Sequence, residues 1–233
     1  MTTREGMKMP VKFDKREYRK IDIRNIETRK DDDGEMIVEG YATTFNQPYT
    51  LVENDRGIMD EQVDRNAFAE TDLSDVIMQY DHEGRVFART RNNTLEITPD
   101  EHGLKIRAFL GGTEIGRQLY EEISGGYTDR MSFGFTVAGE DNQRGKAEDG
   151  RVKILRTITK IGKLFDVSAV SLPANDATEI SARTIGDGLI AEAEKEIQAE
   201  EERERAEKAE AERRSAALER LNNLIKGVKH DEV

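Results

Sequence analysis

A mainly β (α+β) domain extended by a long charged helix is the fold class this sequence predicts, and three observations predict it. Between Tyr18 and Leu172, short alternating apolar segments are separated by turn-forming residues. Inside that stretch, Thr113 to Gly125 spaces its apolar residues at a helical interval instead. Beyond about Gly186 the composition shifts to Ala, Glu, Lys and Arg, and from Leu189 onward neither Pro nor Gly recurs until Gly227.

The elements follow in order. Residues 1–16 are charged and patternless, which predicts a disordered leader. From Tyr18 to Phe45, Ile21, Ile23 and Ile26 run into the turn Asp31-Asp32-Asp33-Gly34, after which Met36, Val38, Gly40 and Ala42 share a face; this predicts a β-hairpin. Residues 46–60 read as a long loop, followed by a short helix or turn at 63–68 and a strand from Val76 to Tyr80, with His82 where it ends. Leu95 and Ile97 are answered by Leu104, Ile106 and Ala108 across the turn Pro99 to Gly103, a second hairpin.

Thr113 is a natural N-cap for a helix in which Ile115, Leu119 and Ile123 recur every four residues, and Gly125 suits its end. Strands are expected at Arg130 to Ala138 and Val152 to Ile161, flanking a polar tip at 139–151. A last apolar strand runs from Leu164 to Leu172 and is stopped by Pro173. In the extension, 186–233, Ile190, Ala193, Ile197, Ala211, Leu218, Leu221, Ile225 and Val228 fall in one heptad frame, interrupted by Glu200, Glu204, Glu207 and Arg214. A helix of about 40 residues would reach roughly 60 Å, long enough for an arm.

Composition removes several function classes. With no cysteine there is no disulfide, thiolate nucleophile or cysteine-bound zinc, and three histidines (His82, His102, His230) leave little for a metal, so neither a metal nor a cofactor is expected. The formal charge of −12 opposes nucleic acid. No apolar run approaches the roughly 20 residues of a membrane helix, nor is there a signal-peptide core. The expectation is a soluble intracellular protein that contacts neither nucleic acid nor membrane.

Candidate chemistry centres on Met131-Ser132-Phe133-Gly134-Phe135. Period two puts the three large side chains on one face and Ser132 with Gly134 on the other, an open face on which a peptide could approach a serine nucleophile. The same pattern also suits a strand that merely packs tightly. Serine needs a general base, and His82 at a strand end is a better candidate than His102, in a turn, or His230, near the C-terminus. A carboxylate must hold the imidazole; Asp166, within the apolar run Leu164 to Leu172, fits, although a strand-end acid reaching water reads the same way. The turn after that run could supply the N–H groups of Ala174 and Asn175 to an oxyanion.

Several separated segments, in order, resemble the prohead proteases of tailed phages. They are Val38-Glu39-Gly40-Tyr41-Ala42 with Phe45-Asn46, Glu61 to Phe68, Asp81-His82, Gly103-Leu104, Met131 to Phe135, and Asp166-Val167-Ser168 through Pro173-Ala174-Asn175. The resemblance implies a protease domain over 17–185, folded as a closed β-barrel with peripheral helices like the herpesvirus assemblins. It implies a serine endopeptidase that acts in the host cytoplasm inside the assembling prohead. Its implied partners are the major capsid protein with its scaffolding segment, and other copies of itself. Nucleophile, base and third member would fall on Ser132, His82 and Asp166. The charged tip at 139–151 resembles an insertion, and the C-terminal helix lies outside the resemblance. The competing expectation is a scaffold or assembly chaperone that binds capsid protein without cleaving it.

Overall fold

In the computed structural model, residues 16–21, 26–31, 34–171 and 176–228 are described. Among them the chain forms, in order, β1 (Glu17–Ile21), β2 (Ile26–Lys30), β3 (Met36–Thr44), β4 (Tyr49–Glu53), β5 (Gly57–Val63), β6 (Ile77–Tyr80), β7 (Glu83–Arg89), β8 (Leu95–Pro99), β9 (Gly103–Phe109), α1 (Glu114–Ser124), β10 (Arg130–Lys146), β11 (Val152–Val170) and α2 (Asp176–Val228). The expected leader, residues 1–16, falls outside the described residues except for Arg16.

Turn chemistry makes the local hairpins. Asp31 accepts the Gly34 N–H on its carbonyl at 3.0 Å and the Glu35 N–H on Oδ1 at 2.8 Å, which reverses the chain between β2 and β3. β8 and β9 join in the same way over Asp100, whose Oδ1 accepts the His102 and Gly103 N–H groups. These strands form one sheet in the order β2-β3-β9-β8. α1 starts where Thr113 Oγ1 accepts the Gly116 N–H at 3.0 Å, and it buries Leu119, Tyr120 and Ile123. Gly125 stays right-handed, and Gly126, at φ 74°, carries the left-handed turn expected one residue earlier.

The second sheet runs β1-β10-β11-β5-β4. β11 is long enough to serve two parallel neighbours, β5 along its first half and β6 along its second, with β7 antiparallel to β6. Among the described residues neither sheet closes on itself, so the expected closed barrel is not formed by them. β11 divides between two partners, and β10 changes register against it at several points between Gly134 and Glu140. The two sheets instead enclose a core of Val38, Ala42, Leu104, Ile106, Met131, Phe133, Phe135, Ile161, Leu164 and Val167. Each large side chain so buried contributes about 1.5–3 kcal/mol.

Four further expectations change. β1 is not part of the first hairpin but pairs with β10, because alternation identifies a strand without naming its partner. The loop expected at 46–60 contains the antiparallel pair β4 and β5. The tip expected at 139–151 is mostly strand: β10 and β11 pair out to Lys146 and Val152, and polar side chains hid the pattern because this hairpin is largely solvent-facing. The separate strand expected from Leu164 is the second half of β11.

α2 begins on the domain and leaves it. Ile190 and Ala193 are fully buried against Val52, Met59, Val152 and Ile154, a second, smaller core. Arg144 and Lys146 of the β10 end pair with Glu196 and Glu201 of the helix. From Glu202 to Leu221 the side chains are exposed, and this is where Glu204, Glu207 and Arg214 occupy the heptad frame. No described helix is long and apolar enough to cross a membrane.

Candidate active site

The site is assembled on β10 and β11 by register. Ser132 lies opposite Ser168, and Gly134 lies opposite Asp166, so all four residues share one face. Met131, Phe133 and Phe135 occupy the other face with no exposure, which anchors β10 in the core and leaves the small face toward the site.

His82 reaches that face by a different route. Tyr80 pairs with Glu83, leaving Asp81 and His82 as a two-residue hairpin loop with φ of 48° and 62°. Positive φ at both central positions is what a type I′ turn needs, and it costs non-glycine residues about 1–2 kcal/mol each. The Asp81 N–H donates to the Ala169 carbonyl at 3.1 Å, and Tyr80 lies opposite Ala169 on β11, so the turn is fastened beside Asp166. Backbone held against its preference in this way is characteristic of functional sites. Burial raises the carboxyl pKa of Asp81, opposed by its hydrogen bond with Tyr80 and the charge of His82.

The result is a continuous chain of polar atoms. His82 Nδ1 stands 2.5 Å from Asp166 Oδ1, and His82 Nε2 stands 2.5 Å from Ser132 Oγ. Ser132 and Asp166 are 2% and 1% exposed, so the chain is shielded from solvent. The three predicted residues are therefore brought together, and the short aspartate does reach the imidazole. Ser132 Oγ also lies 2.9 Å from the carbonyl oxygen of Arg19, giving its single proton two possible acceptors. The Tyr18 ring meets the imidazole edge-on at 4.6 Å. Arg16 Nη1 is 3.8 Å from Asp166 Oδ2, an atom that accepts no hydrogen bond from the described residues.

Gly134 is required here for space. A Cβ at this position would overlap Asp166 Oδ2 and come within 2.8 Å of the Tyr18 ring. Of the other sequence candidates, only His102 is described. His102 sits in the β8–β9 turn with its ring against Tyr41, and His230, Ala174 and Asn175 lie outside the described residues.

Behind β1 lies a buried ionic cluster that sequence reading missed. Glu61 accepts from Arg19 at 2.5 and 2.9 Å, from Arg156 at 2.7 Å and from the Tyr49 hydroxyl at 2.5 Å. Glu17 accepts from both arginines, and Arg156 also donates to Glu140. Burial acts against the charged forms, yet the charges and hydrogen bonds of Arg19 and then Arg156 hold Glu61 below the usual carboxylate range. Burial and then the charge of Glu61 push the Tyr49 phenol well up. The cluster fixes the strand whose carbonyl faces Ser132. Only the alternation of Glu17 and Arg19 on β1, and of Glu61 among buried β5 positions, hinted at it.

The sequence model of the family described as caudovirus prohead serine protease matches residues 24–189. No curated protein matches the chain. Among solved structures, the bacteriophage T4 capsid assembly protease gp21 aligns with 11% identity over 66% of this chain and 98% of that chain, at a TM-score of 0.35.

Proposed function

The chain belongs to the caudovirus prohead serine protease family, and from that premise we propose that it is an endopeptidase acting through an acyl-enzyme on Ser132. The observation that carries the proposal is the run from Asp166 through His82 to Ser132, with 2.5 Å at each step. Asp166 accepts the Nδ1–H, which leaves Nε2 unprotonated and facing the serine hydroxyl. Nε2 takes the Oγ proton as Oγ attacks the scissile carbonyl carbon, and the imidazolium then protonates the departing amine. Water attacks the ester in the second half, with His82 again as base. Ala174 and Asn175 remain our candidates for the N–H groups that receive the oxyanion.

The nucleophile is 2% exposed and lies beside β1, where Lys20 stands opposite it. β1 is held in place by its pairing with β10 and by Glu17 and Arg19, whose side chains belong to the ionic cluster. We assign the protease domain to residues 17–185. The family suggests substrates within the prohead: the major capsid protein with its scaffolding segment, and other copies of the enzyme.

Intact-mass analysis of the wild type and Ser132→Ala, each incubated alone and with its capsid precursor, tests the proposal. Fragments with the wild type alone support serine proteolysis and give the cleavage sites. Cleavage by Ser132→Ala at the wild-type rate refutes it. Normal assembly with no fragments from either protein would favour a scaffold or chaperone.

A further inference from the structure

A second serine belongs to the candidate site. Ser168 is fully buried, and its Oγ lies 3.1 Å from Asp166 Oδ1 and 3.2 Å from His82 Nδ1. Its place follows from β11: two residues from Asp166 it shares that residue's face, and by register it stands opposite Ser132. The three atoms Asp166 Oδ1, His82 Nδ1 and Ser168 Oγ thus form a closed triangle behind the imidazole.

We propose that Ser168 is a positioning residue that holds the aspartate and the imidazole in the arrangement the nucleophile needs, an inference that rests on the proteolytic reading above. The proton inventory leaves little choice. An ionised Asp166 only accepts, so the Ser168 hydroxyl donates its proton to Asp166 Oδ1. A lone pair of Ser168 Oγ is then turned toward His82 Nδ1, where it offers a second, weaker acceptor for the N–H already donated to Asp166.

Both contacts favour the same state. The donation to Oδ1 steadies a carboxylate whose Oδ2 lacks a hydrogen bond among the described residues. The acceptor at Nδ1 favours the tautomer with the proton on that nitrogen, so that Nε2 is free to receive the proton of Ser132. Ser168 touches neither the scissile bond nor Ser132 in this scheme. It acts entirely through the other two residues.

Measurement of kcat and KM for cleavage of the capsid precursor by Ser168→Ala, together with nitrogen-15 NMR of the His82 ring, tests this role. Loss of one hydrogen bond to a charged group predicts a kcat about tenfold lower with KM unchanged. The Nδ1 resonance of the ring should shift from its wild-type position as the second acceptor is lost, which a merely structural serine would not influence. Should the alanine variant melt below the assay temperature, Ser168→Cys, similar in size but a weaker donor, is read for the same two signals. Wild-type kcat and an unchanged ring spectrum in the folded variant would overturn the inference. Ser132→Ala separates the two claims: an inactive Ser132→Ala beside a fully active Ser168→Ala removes only the role of Ser168, whereas an active Ser132→Ala removes the proteolytic reading itself.

Discussion

Gly134→Ala puts one methyl group where the candidate site has no room for it. The new Cβ would overlap Asp166 Oδ2 and stand 2.8 Å from Tyr18 Cε1 and 3.1 Å from Tyr18 Cδ1. Carbon atoms prefer separations of about 3.5–4.0 Å, so something must yield by roughly 1 Å. Tyr18 lies on β1, itself held by the ionic cluster, and the Asp166 backbone is paired on both sides, with β10 and with β6, so the Asp166 side chain has to turn. The carboxylate is therefore the group displaced, and His82 Nδ1 loses its 2.5 Å partner. A misplacement of about 1 Å in a catalytic constellation can cost on the order of 100-fold in rate, and overpacking typically costs about 1–3 kcal/mol of stability. The assay is the rate of capsid-precursor cleavage, followed by intact mass, alongside a urea unfolding curve. A Gly134→Ala protein with wild-type turnover and an unchanged midpoint would refute the claim that this glycine makes room for Asp166.

Two further changes test the scaffold beneath the site. Glu61→Gln keeps the shape but leaves Arg19 and Arg156 short of a buried countercharge, predicting a loss of about 3–5 kcal/mol in urea unfolding; a loss below 1 kcal/mol would contradict it. Because Glu61 is held below the usual carboxylate range, its contribution is full above its unfolded value of about 4.3 and is lost as pH falls through the lower folded value. The stability of the wild type should therefore fall more steeply with acid than that of Glu61→Gln, and parallel curves would count against this account. Thr113→Ala removes the bond to the Gly116 N–H at the start of α1 and should cost about 1 kcal/mol in the same unfolding assay, with the cleavage rate unchanged; an unshifted midpoint would show the cap to be idle.

Local pattern made the candidate site legible because each of its three residues interrupts a strand signal. Ser132 and Gly134 stand between Met131, Phe133 and Phe135, Asp166 is an acid inside an apolar run, and His82 ends a short strand. Ser168 obeys the same period as Asp166 and could have been found by extending it. Tyr18, Arg16 and the Arg19 carbonyl could not, since their place depends on β1 crossing to β10.

From the sequence alone came the mainly β class, the hairpins with strong turn residues, the capped helix and the three residues of the candidate site. All of these depend on periodicity and turn chemistry within about ten residues. Tertiary structure alone decided which strands pair, that the sheets stay open, and that charged residues on β1, β5 and β11 form a buried cluster. The physical reason is that a period of two says which way a side chain points but not which strand lies beside it. A charge in the interior can be told from one in water only when its partner, often 100 residues away, is known.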